Sequence, residues 1–149
     1  RLLALGAPID GFGVGTRLDT SADAPYLDCA YKLVEYAGQP RRKRSEGKAN
    51  WPGRKQVYRI HAADGSLDHD ILTLENDMQA GTPLIQPFML SGKRLAAPEP
   101  LEESRRRATA ELARLPEYLK QLETEQKPYT AEIAMALRQL AEAVDRTAH

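Results

Sequence analysis

The chain has 149 residues, of which 42% are hydrophobic, so it is long enough to form one ordinary domain with an apolar core. Lys and Arg together number 21, as do Asp and Glu, which argues against the broad basic face of a nucleic-acid-binding protein. The single cysteine, Cys29, excludes an internal disulfide and a zinc site built from several cysteines, and no apolar run is long enough to cross a membrane. We therefore expect a protein of a reducing compartment, located in the cytoplasm.

The first residues predict the end of a helix followed by a strand. Arg1-Leu2-Leu3-Ala4-Leu5 is typical of a last helical turn, and Gly6 is expected to stop it. The apolar residues 9–14 then predict a short strand. Because the chain starts on the tail of a helix and not at a methionine, we expect it to be a fragment of a longer protein.

A glycine turn follows this strand. Gly11, Gly13 and Gly15 stand at alternate positions and Thr16 comes next. Glycine has no Cβ, so another group can approach its backbone closely, and successive N–H groups in such a turn form a concave anion site. The segment has neither the Gly-Lys-Ser/Thr of a Walker loop nor the third glycine of the dinucleotide fingerprint. Spacing alone leaves two interpretations open, a tight turn after a buried strand and a phosphate-binding loop.

Alternating apolar and polar residues predict a small antiparallel sheet in the middle of the chain. Residues 29–36 and 55–60 show this alternation. Ala63-Asp64-Gly65-Ser66 predicts a hairpin turn, and residues 70–74 are the returning strand. Pro83 precedes residues 84–90 and Pro87 interrupts them, which places this extended segment at a sheet edge.

The last third of the chain predicts helices. Residues 101–115 are typical of a helix, and Pro116 is expected to begin a new helical turn. Thr130 is expected to cap a final helix. The apolar stripe of that helix would consist of Ile133, Leu137, Leu140 and Val144.

No arrangement of nucleophile, base or metal ligands typical of a hydrolase occurs, and we predict no catalytic and no metal-binding residue. His61, His69 and His149 are scattered, and the first two are expected at solvated positions beside the hairpin. Cys29 is expected to pack as a small core residue. The basic segment, residues 41–48, is interpreted as a solvated loop, with an anion contact as the alternative. On these residues alone, the chain holds one candidate half-site.

Six groups of residues, taken in order, resemble the C-terminal part of the nicotinate phosphoribosyltransferase family. They are Gly6-Ala7-Pro8-Ile9-Asp10, Phe12-Gly13-Val14-Gly15-Thr16, Asp23-Ala24-Pro25, Tyr31-Lys32-Leu33-Val34-Glu35, Lys43 with Ser45 and Lys48, and Pro52-Gly53-Arg54-Lys55-Gln56-Val57-Tyr58-Arg59. The last string is the most specific. The resemblance covers residues 1–95, whereas the helical tail is generic.

The resemblance implies a fold and a reaction. The chain would be an α+β fragment of an α/β type II phosphoribosyltransferase. Residues 1–25 would supply the last strand of an irregular α/β barrel and the phosphate loop, residues 26–97 the antiparallel sheet of a sandwich domain, and residues 98–149 C-terminal helices. The family is an ATP-coupled ligase and glycosyltransferase that makes nicotinate mononucleotide from nicotinate and phosphoribosyl pyrophosphate in NAD salvage, with Mg²⁺ assisting.

The resemblance also implies a role for the glycine turn. Gly13, Val14, Gly15 and Thr16 would bind the 5′-phosphate, and the N–H groups of the last two would donate to it. The family's phosphorylated histidine and its base-binding residues would lie upstream of Arg1, so the chain alone is expected to be inactive. The implied partners are the two small-molecule substrates, the rest of the same protein and further copies of it in a homo-oligomer, with no nucleic acid and no membrane.

A second class of function stays open. The chain would then be a self-standing, non-catalytic binding or assembly module, and the glycine turn would be only a turn. A strand without neighbours would leave Ile9 and Phe12 exposed. We therefore expect a partner chain, or another part of the same protein, to cover them.

Overall fold

The computed structural model describes residues 3–11, 13, 15, 31–121 and 129–147. The chain forms two compact units, Arg1–Tyr31 and Lys32–His149. In the first unit Leu3–Leu5 is a single 3₁₀ turn. Gly6, with φ of 75°, closes it by donating its N–H to the Leu3 carbonyl at 3.0 Å. The predicted helical turn and its glycine stop are confirmed.

The predicted strand over residues 9–14 is not formed where the structure describes it. Ile9 and Gly11 are irregular and Asp10 lies in a bend, while Phe12 and Val14 lie outside the described residues. A strand needs a hydrogen-bonded neighbour, and the described part of this unit contains no second strand. The apolar pattern of residues 9–14 was therefore insufficient to form a strand without a neighbouring strand to pair with.

The larger unit is built on a long antiparallel hairpin. Strand β3 (Lys55–His61) pairs with β4 (Leu67–Leu74), following a short hairpin of β1 (Glu35–Tyr36) and β2 (Gln39–Pro40). In the β3–β4 turn Gly65 has φ of 83°, and the Asp64 carboxylate accepts hydrogen bonds from the Ser66 N–H at 2.9 Å and from its hydroxyl at 2.6 Å. The predicted strands 55–60 and 70–74 and their turn are confirmed.

Two short strands complete this sheet: β5 (Thr82–Pro83) lies antiparallel to β3, and β8 (Glu132–Ile133) lies parallel to β4. The order of the strands is β5-β3-β4-β8. The sheet is thus mixed, whereas a wholly antiparallel one was expected. A separate hairpin is formed by β6 (Met89–Leu90) and β7 (Lys93–Arg94).

The predicted edge strand over residues 84–90 is wrong, because pairing with β3 ends at Pro83. Beyond Pro83, the side chain of Gln56, and not the backbone of β3, hydrogen-bonds the backbone of Ile85. Its Oε1 accepts the Ile85 N–H at 2.9 Å and its Nε2 donates to the Ile85 carbonyl at 2.9 Å. The chain then leaves the sheet, and Met89–Leu90 pairs with Lys93–Arg94 instead.

The predicted strand over residues 29–36 is also largely wrong. Residues 31–34 are irregular and only Glu35–Tyr36 is a strand, while Cys29 and Ala30 lie outside the described residues. The Val34 carbonyl accepts the N–H groups of Arg41 at 2.8 Å and Gly53 at 2.7 Å, so it joins loops and not a ladder. The alternating apolar and polar residues of this segment therefore do not form a long strand, because no sheet face is available for the apolar side chains to pack on.

The described residues form three α-helices: α1 (Leu101–Ala113) and α2 (Glu117–Lys120) precede β8, and α3 (Met135–Arg146) follows it. The first agrees with the predicted helix 101–115, and α2 begins directly after Pro116, as expected. The predicted Thr130 cap is wrong, because Glu132–Ile133 pairs with β4 and the helix starts only after Ala134. Ile133 therefore lies in a strand and not on the apolar stripe of α3.

Helix α3 packs against β4. Among the described residues of the larger unit, the buried apolar side chains are Tyr58, Leu67, Leu137 and Ala141, with Pro52 and Thr73 also fully enclosed. The predicted stripe position Leu137 is completely buried. In the part of the chain that the structure describes, no helix is long and apolar enough to cross a membrane.

Substitution Gly81→Ala should destabilise this unit because Gly81 brings β5 against β3. It has φ of 104°, and an added Cβ would overlap the Arg59 carbonyl oxygen and lie 2.6 Å from Ile60 Cδ1. We expect a loss of about 2–4 kcal/mol in the free energy of unfolding, measured by denaturant titration. Gly65→Ala is the matched control, since its φ is 83° but its Cβ would meet nothing within 4 Å; it should cost about 1 kcal/mol. Equal losses would refute the steric argument.

Candidate functional site

The described glycines of the turn in the first unit are not crowded by other atoms. Gly11, Gly13 and Gly15 are exposed and irregular, and a Cβ built at each would meet nothing within 4 Å. Of the predicted phosphate-binding residues, Val14 and Thr16 lie outside the described residues. The predicted loop Gly13, Val14, Gly15, Thr16 therefore stays a prediction.

The larger unit contains a charged cluster centred on Arg59. Its guanidinium donates from Nε to Asp70 Oδ1 and from Nη2 to Asp70 Oδ2, both at 3.0 Å. Nη1 donates to Glu111 Oε2 on α1 at 3.3 Å. Arg59 and Asp70 stand directly opposite each other across the hairpin, and Asp70 is only 7% exposed. The cluster joins both long strands to α1.

Arg59 and Asp70 favour each other's charged form. Burial acts to raise the pKa of Asp70, but the hydrogen bonds and the charge of Arg59 outweigh it and leave that pKa below its usual value. The Asp70 hydrogen bonds are also the main cause that raises the pKa of Arg59. Burial, with the adjacent Asp70 carboxylate, raises the pKa of Tyr129 to about 12. These shifts favour the charged forms of Arg59 and Asp70 and the neutral form of Tyr129, which suits a structural ion pair.

This cluster is absent from the sequence-based predictions, although a signal for it was present. The turn over Ala63-Asp64-Gly65-Ser66 fixes the strand register, and the register sets Arg59 opposite Asp70. Opposite charges at facing positions of a hairpin stabilise the pair. Pairing residues across the predicted turn would therefore have found it.

The basic segment is partly used within the fold. Arg42 donates to Asp145 Oδ2 on α3 at 3.1 Å, and its guanidinium lies 5.8 Å from the Trp51 ring centre. Arg44 also pairs with Asp145, at 3.1 Å. Two of its arginines thus attach the end of α3, while the side chains of Arg41, Lys43 and Lys48 are exposed. The interpretation as a wholly solvated loop is wrong for Arg42, because its side chain is only 16% exposed.

An open cleft of about 250 Å³ lies beside this region, lined by Glu35, Arg54, Glu75 and Leu140 among others. Arg54 pairs with Glu35 at 3.1 Å and lies 4.0 Å from Glu75. Lys55 donates to the carbonyls of Trp51 at 2.9 Å and Gly53 at 2.6 Å, and burial lowers its pKa. Because two carboxylates already flank the one arginine of the cleft, it does not suit a phosphate.

The histidines do not form a reactive group. His69 is partly exposed, with Nδ1 3.1 Å from Asp68 and Nε2 3.8 Å from Glu132. His61 is half-buried and its Nε2 has no hydrogen-bond partner among the described residues, so it is not the solvated residue expected. Cys29 and His149 lie outside the described residues. Within the described ranges, no three His, Cys, Asp or Glu side chains are placed to hold a metal.

Substitution Asp70→Asn should reduce stability in a pH-dependent way. At pH 7 we expect a loss of about 1–3 kcal/mol, less than for a fully buried pair because Arg59 is partly exposed. The folded-state pKa of Asp70 lies below its unfolded value of about 3.9. Its stabilisation is therefore fully present above that unfolded value and is lost as the pH falls through the folded-state pKa.

Denaturant titrations of both proteins between pH 2 and pH 7 measure this effect. The two stability curves should converge at the acidic end. Asp68→Asn is the matched control, since it lies on the same strand with an exposed side chain, and it should change stability by less than about 0.5 kcal/mol. A constant difference between Asp70→Asn and the parent protein at every pH would exclude ionised Asp70 as the cause.

Comparisons with known proteins give a consistent result. Nicotinate phosphoribosyltransferase pncB2 of Mycobacterium tuberculosis is 46% identical over 123 residues, covering 82% of this chain and 26% of the relative. The nicotinate phosphoribosyltransferase of Dictyostelium discoideum is 40% identical over 104 residues, covering 68% of this chain and 17% of the relative. No protein-family model matches the chain.

A solved structure is similar as well. The crystal structure of human nicotinic acid phosphoribosyltransferase matches with a TM-score of 0.67 and 26% identity, covering 78% of this chain and 26% of that one. This match confirms the expected fold class, an α+β fragment of a type II phosphoribosyltransferase. The chain spans about a quarter of the length of the first relative and of the solved structure. Its sequence and its fold show that it belongs to the nicotinate phosphoribosyltransferase family.

Proposed function

We propose that this chain is part of a polypeptide that joins nicotinate to phosphoribosyl pyrophosphate. The observation that carries the proposal is the 46% identity over 82% of the chain to a nicotinate phosphoribosyltransferase. In this reaction the pyridine nitrogen forms a bond to C1 of the ribose. The bond between C1 and the pyrophosphate oxygen breaks, and the electron pair leaves with pyrophosphate. The product is nicotinate mononucleotide.

The glycine turn is the part of this chain that we assign to the substrate. We propose that Gly13, Val14, Gly15 and Thr16 bind the 5′-phosphate, with the backbone N–H groups of the last two as donors. The open space around Gly13 and Gly15 supports this assignment, because a phosphate needs room next to the backbone. A fixed 5′-phosphate holds C1 in line with nicotinate, and positioning of this kind supplies much of the rate enhancement in a displacement with an oxocarbenium-like transition state.

ATP and Mg²⁺, which the sequence resemblance implies, belong to the whole protein in this proposal. The residues that the structure describes include no group placed to hold a metal. The larger unit contributes structural support, since its central ion pair between Arg59 and Asp70 joins β3, β4 and α1.

Substitution Gly15→Ala in the full-length protein tests the phosphate assignment. We expect the KM for phosphoribosyl pyrophosphate to rise about tenfold or more, because displacing one hydrogen bond to a charged group costs about 1.5–3 kcal/mol. Steady-state synthesis of nicotinate mononucleotide measures the effect. Gly11→Ala is the control, because its Cβ also meets nothing within 4 Å and it lies outside the proposed loop. If both variants keep the parent KM, the loop does not bind the phosphate.

A second prediction concerns the 149 residues alone. We expect no synthesis of nicotinate mononucleotide above background, because these residues span only 26% of the length of the M. tuberculosis relative, so most of such a transferase is missing. The assay uses the purified chain with both substrates, ATP and Mg²⁺, and the full-length protein is the positive control. Turnover by the chain at the rate of the full-length protein would show that its catalytic groups lie within these residues.

A further inference from the structure

Met78 connects the surface of the larger unit to its interior. The sequence contains three methionines, Met78, Met89 and Met135, which are 78%, 54% and 68% exposed. Within the described residues, a hydrogen bond reaches the sulfur of Met78 and not those of the other two. The Tyr58 hydroxyl donates to Met78 Sδ at 3.3 Å, and Tyr58 is only 3% exposed. An exposed side chain therefore accepts the hydrogen bond of a buried one.

The buried Tyr58 hydroxyl depends on this sulfur. Tyr58 lies in β3, opposite Ile71 of β4 and Pro83 of β5. A buried hydroxyl without a hydrogen-bond partner destabilises the folded state, so this one needs an acceptor. Its acceptor is a thioether sulfur, and thioether sulfurs accept hydrogen bonds only weakly. A stronger acceptor at the same place would therefore stabilise the sheet.

The turn that carries Met78 is fixed on both sides of it. The Asp77 carboxylate accepts a hydrogen bond from the Thr73 hydroxyl and another, of 2.8 Å, from Gln79 Nε2. Thr73 is fully buried in β4, so the turn is attached to the sheet. Met78 itself has an unbranched side chain with several rotatable bonds. Its sulfur can therefore adjust its position beside Tyr58 while the backbone stays in place.

Oxidation by a peroxide would supply that stronger acceptor. A sulfur lone pair attacks one oxygen of hydrogen peroxide, the O–O bond breaks, and the remaining hydroxide takes up a proton and leaves as water. The sulfur loses two electrons and the peroxide is reduced. The sulfoxide that forms is polar, and its oxygen accepts hydrogen bonds more strongly than a thioether sulfur does. Because Met78 is exposed, the polar product stays at the surface and does not disrupt the core.

We propose that Met78 is a site of reversible oxidation by peroxides, and that its sulfoxide oxygen becomes the acceptor for the Tyr58 hydroxyl. Rotation about the flexible side chain brings the oxygen to the hydroxyl. The oxidised form is a substrate for the reductases that return methionine sulfoxide to methionine. Oxidation here strengthens a contact of the folded state, whereas oxidation in a core weakens the packing. The site is separate from the proposed transferase reaction and does not depend on it.

Met135 provides the internal comparison. It is the first residue of α3 and is 68% exposed, so its accessibility is similar to that of Met78. Among the described residues, no hydroxyl donates to its sulfur, so its sulfoxide gains no buried partner. Both side chains should therefore react with peroxide, and only the product at Met78 should stabilise the fold. Exposure alone predicts no difference between the two.

Thermal denaturation with a readout at each methionine of the full-length protein tests the proposal. The folded protein is treated with hydrogen peroxide until part of Met78 is oxidised, then heated to its Tm and cleared of aggregate. Mass spectrometry quantifies the sulfoxide at each methionine in the soluble fraction. We expect the sulfoxide of Met78 to be enriched about twofold in the fraction that stays folded, because a stronger hydrogen bond favours the folded state. The sulfoxide of Met135 should not be enriched, and a methionine sulfoxide reductase should return Met78 to the thioether.

Tyr58→Phe is the matched variant, because it removes the hydroxyl and keeps the ring. It should leave the oxidation rate of Met78 unchanged and abolish the enrichment. Depletion of the Met78 sulfoxide from the folded fraction, or enrichment that persists in Tyr58→Phe, would overturn the proposal. Oxidation of Met78 at least about tenfold slower in the folded protein than in the unfolded chain would also overturn it, because the side chain would then be covered. If Tyr58→Phe does not fold, the comparison of Met78 with Met135 in the parent protein decides.

Discussion

The larger unit depends on the ion pair between Arg59 and Asp70. The pair joins the two long strands at facing positions, Glu111 attaches α1 to the same guanidinium, and Tyr129 lies beside Asp70 just before β8. Taking two charges out of water is unfavourable unless hydrogen bonds satisfy both groups. The two parallel hydrogen bonds between the guanidinium and the carboxylate meet this condition. The geometry that satisfies these charges therefore also fixes where α1 and β8 attach to the hairpin.

Elements set by neighbouring residues could be predicted from the sequence, and elements set by distant partners could not. The turn at Asp64 and Gly65 fixes the β3–β4 hairpin locally, and the pattern of α1 is similarly local. By contrast, Glu132–Ile133 is a strand only because β4 offers a free edge. Residues 84–90 leave the sheet because the Gln56 side chain occupies Ile85. Neither partner, β4 or the Gln56 side chain, can be found from the residues next to these segments. Periodicity therefore predicted a helix start at Thr130 and an edge strand over residues 84–90, and neither occurs.

The candidate site, likewise, could be predicted from the sequence only in part. Alternating glycines before a threonine are visible in the sequence and indicate room beside the backbone, and the structure describes Gly13 and Gly15 as uncrowded. The spacing could not say which group uses that room, because the answer depends on atoms that are not neighbours in this sequence. The string Pro52 to Arg59, the most specific part of the family resemblance, has structural roles in this unit. Pro52 and Tyr58 are buried, and Arg59 forms the central ion pair.

The small core and the exposed apolar surface have one common cause. The sequence has enough hydrophobic residues for an ordinary domain, yet four apolar side chains form the buried core of the described residues, while Phe88, Leu90 and Leu101 are exposed. A chain that folded for itself would direct these side chains inward, because each buried one contributes about 1.5–3 kcal/mol. Their outward position agrees with the proposed function, in which this chain is part of a longer transferase whose other residues would bury them.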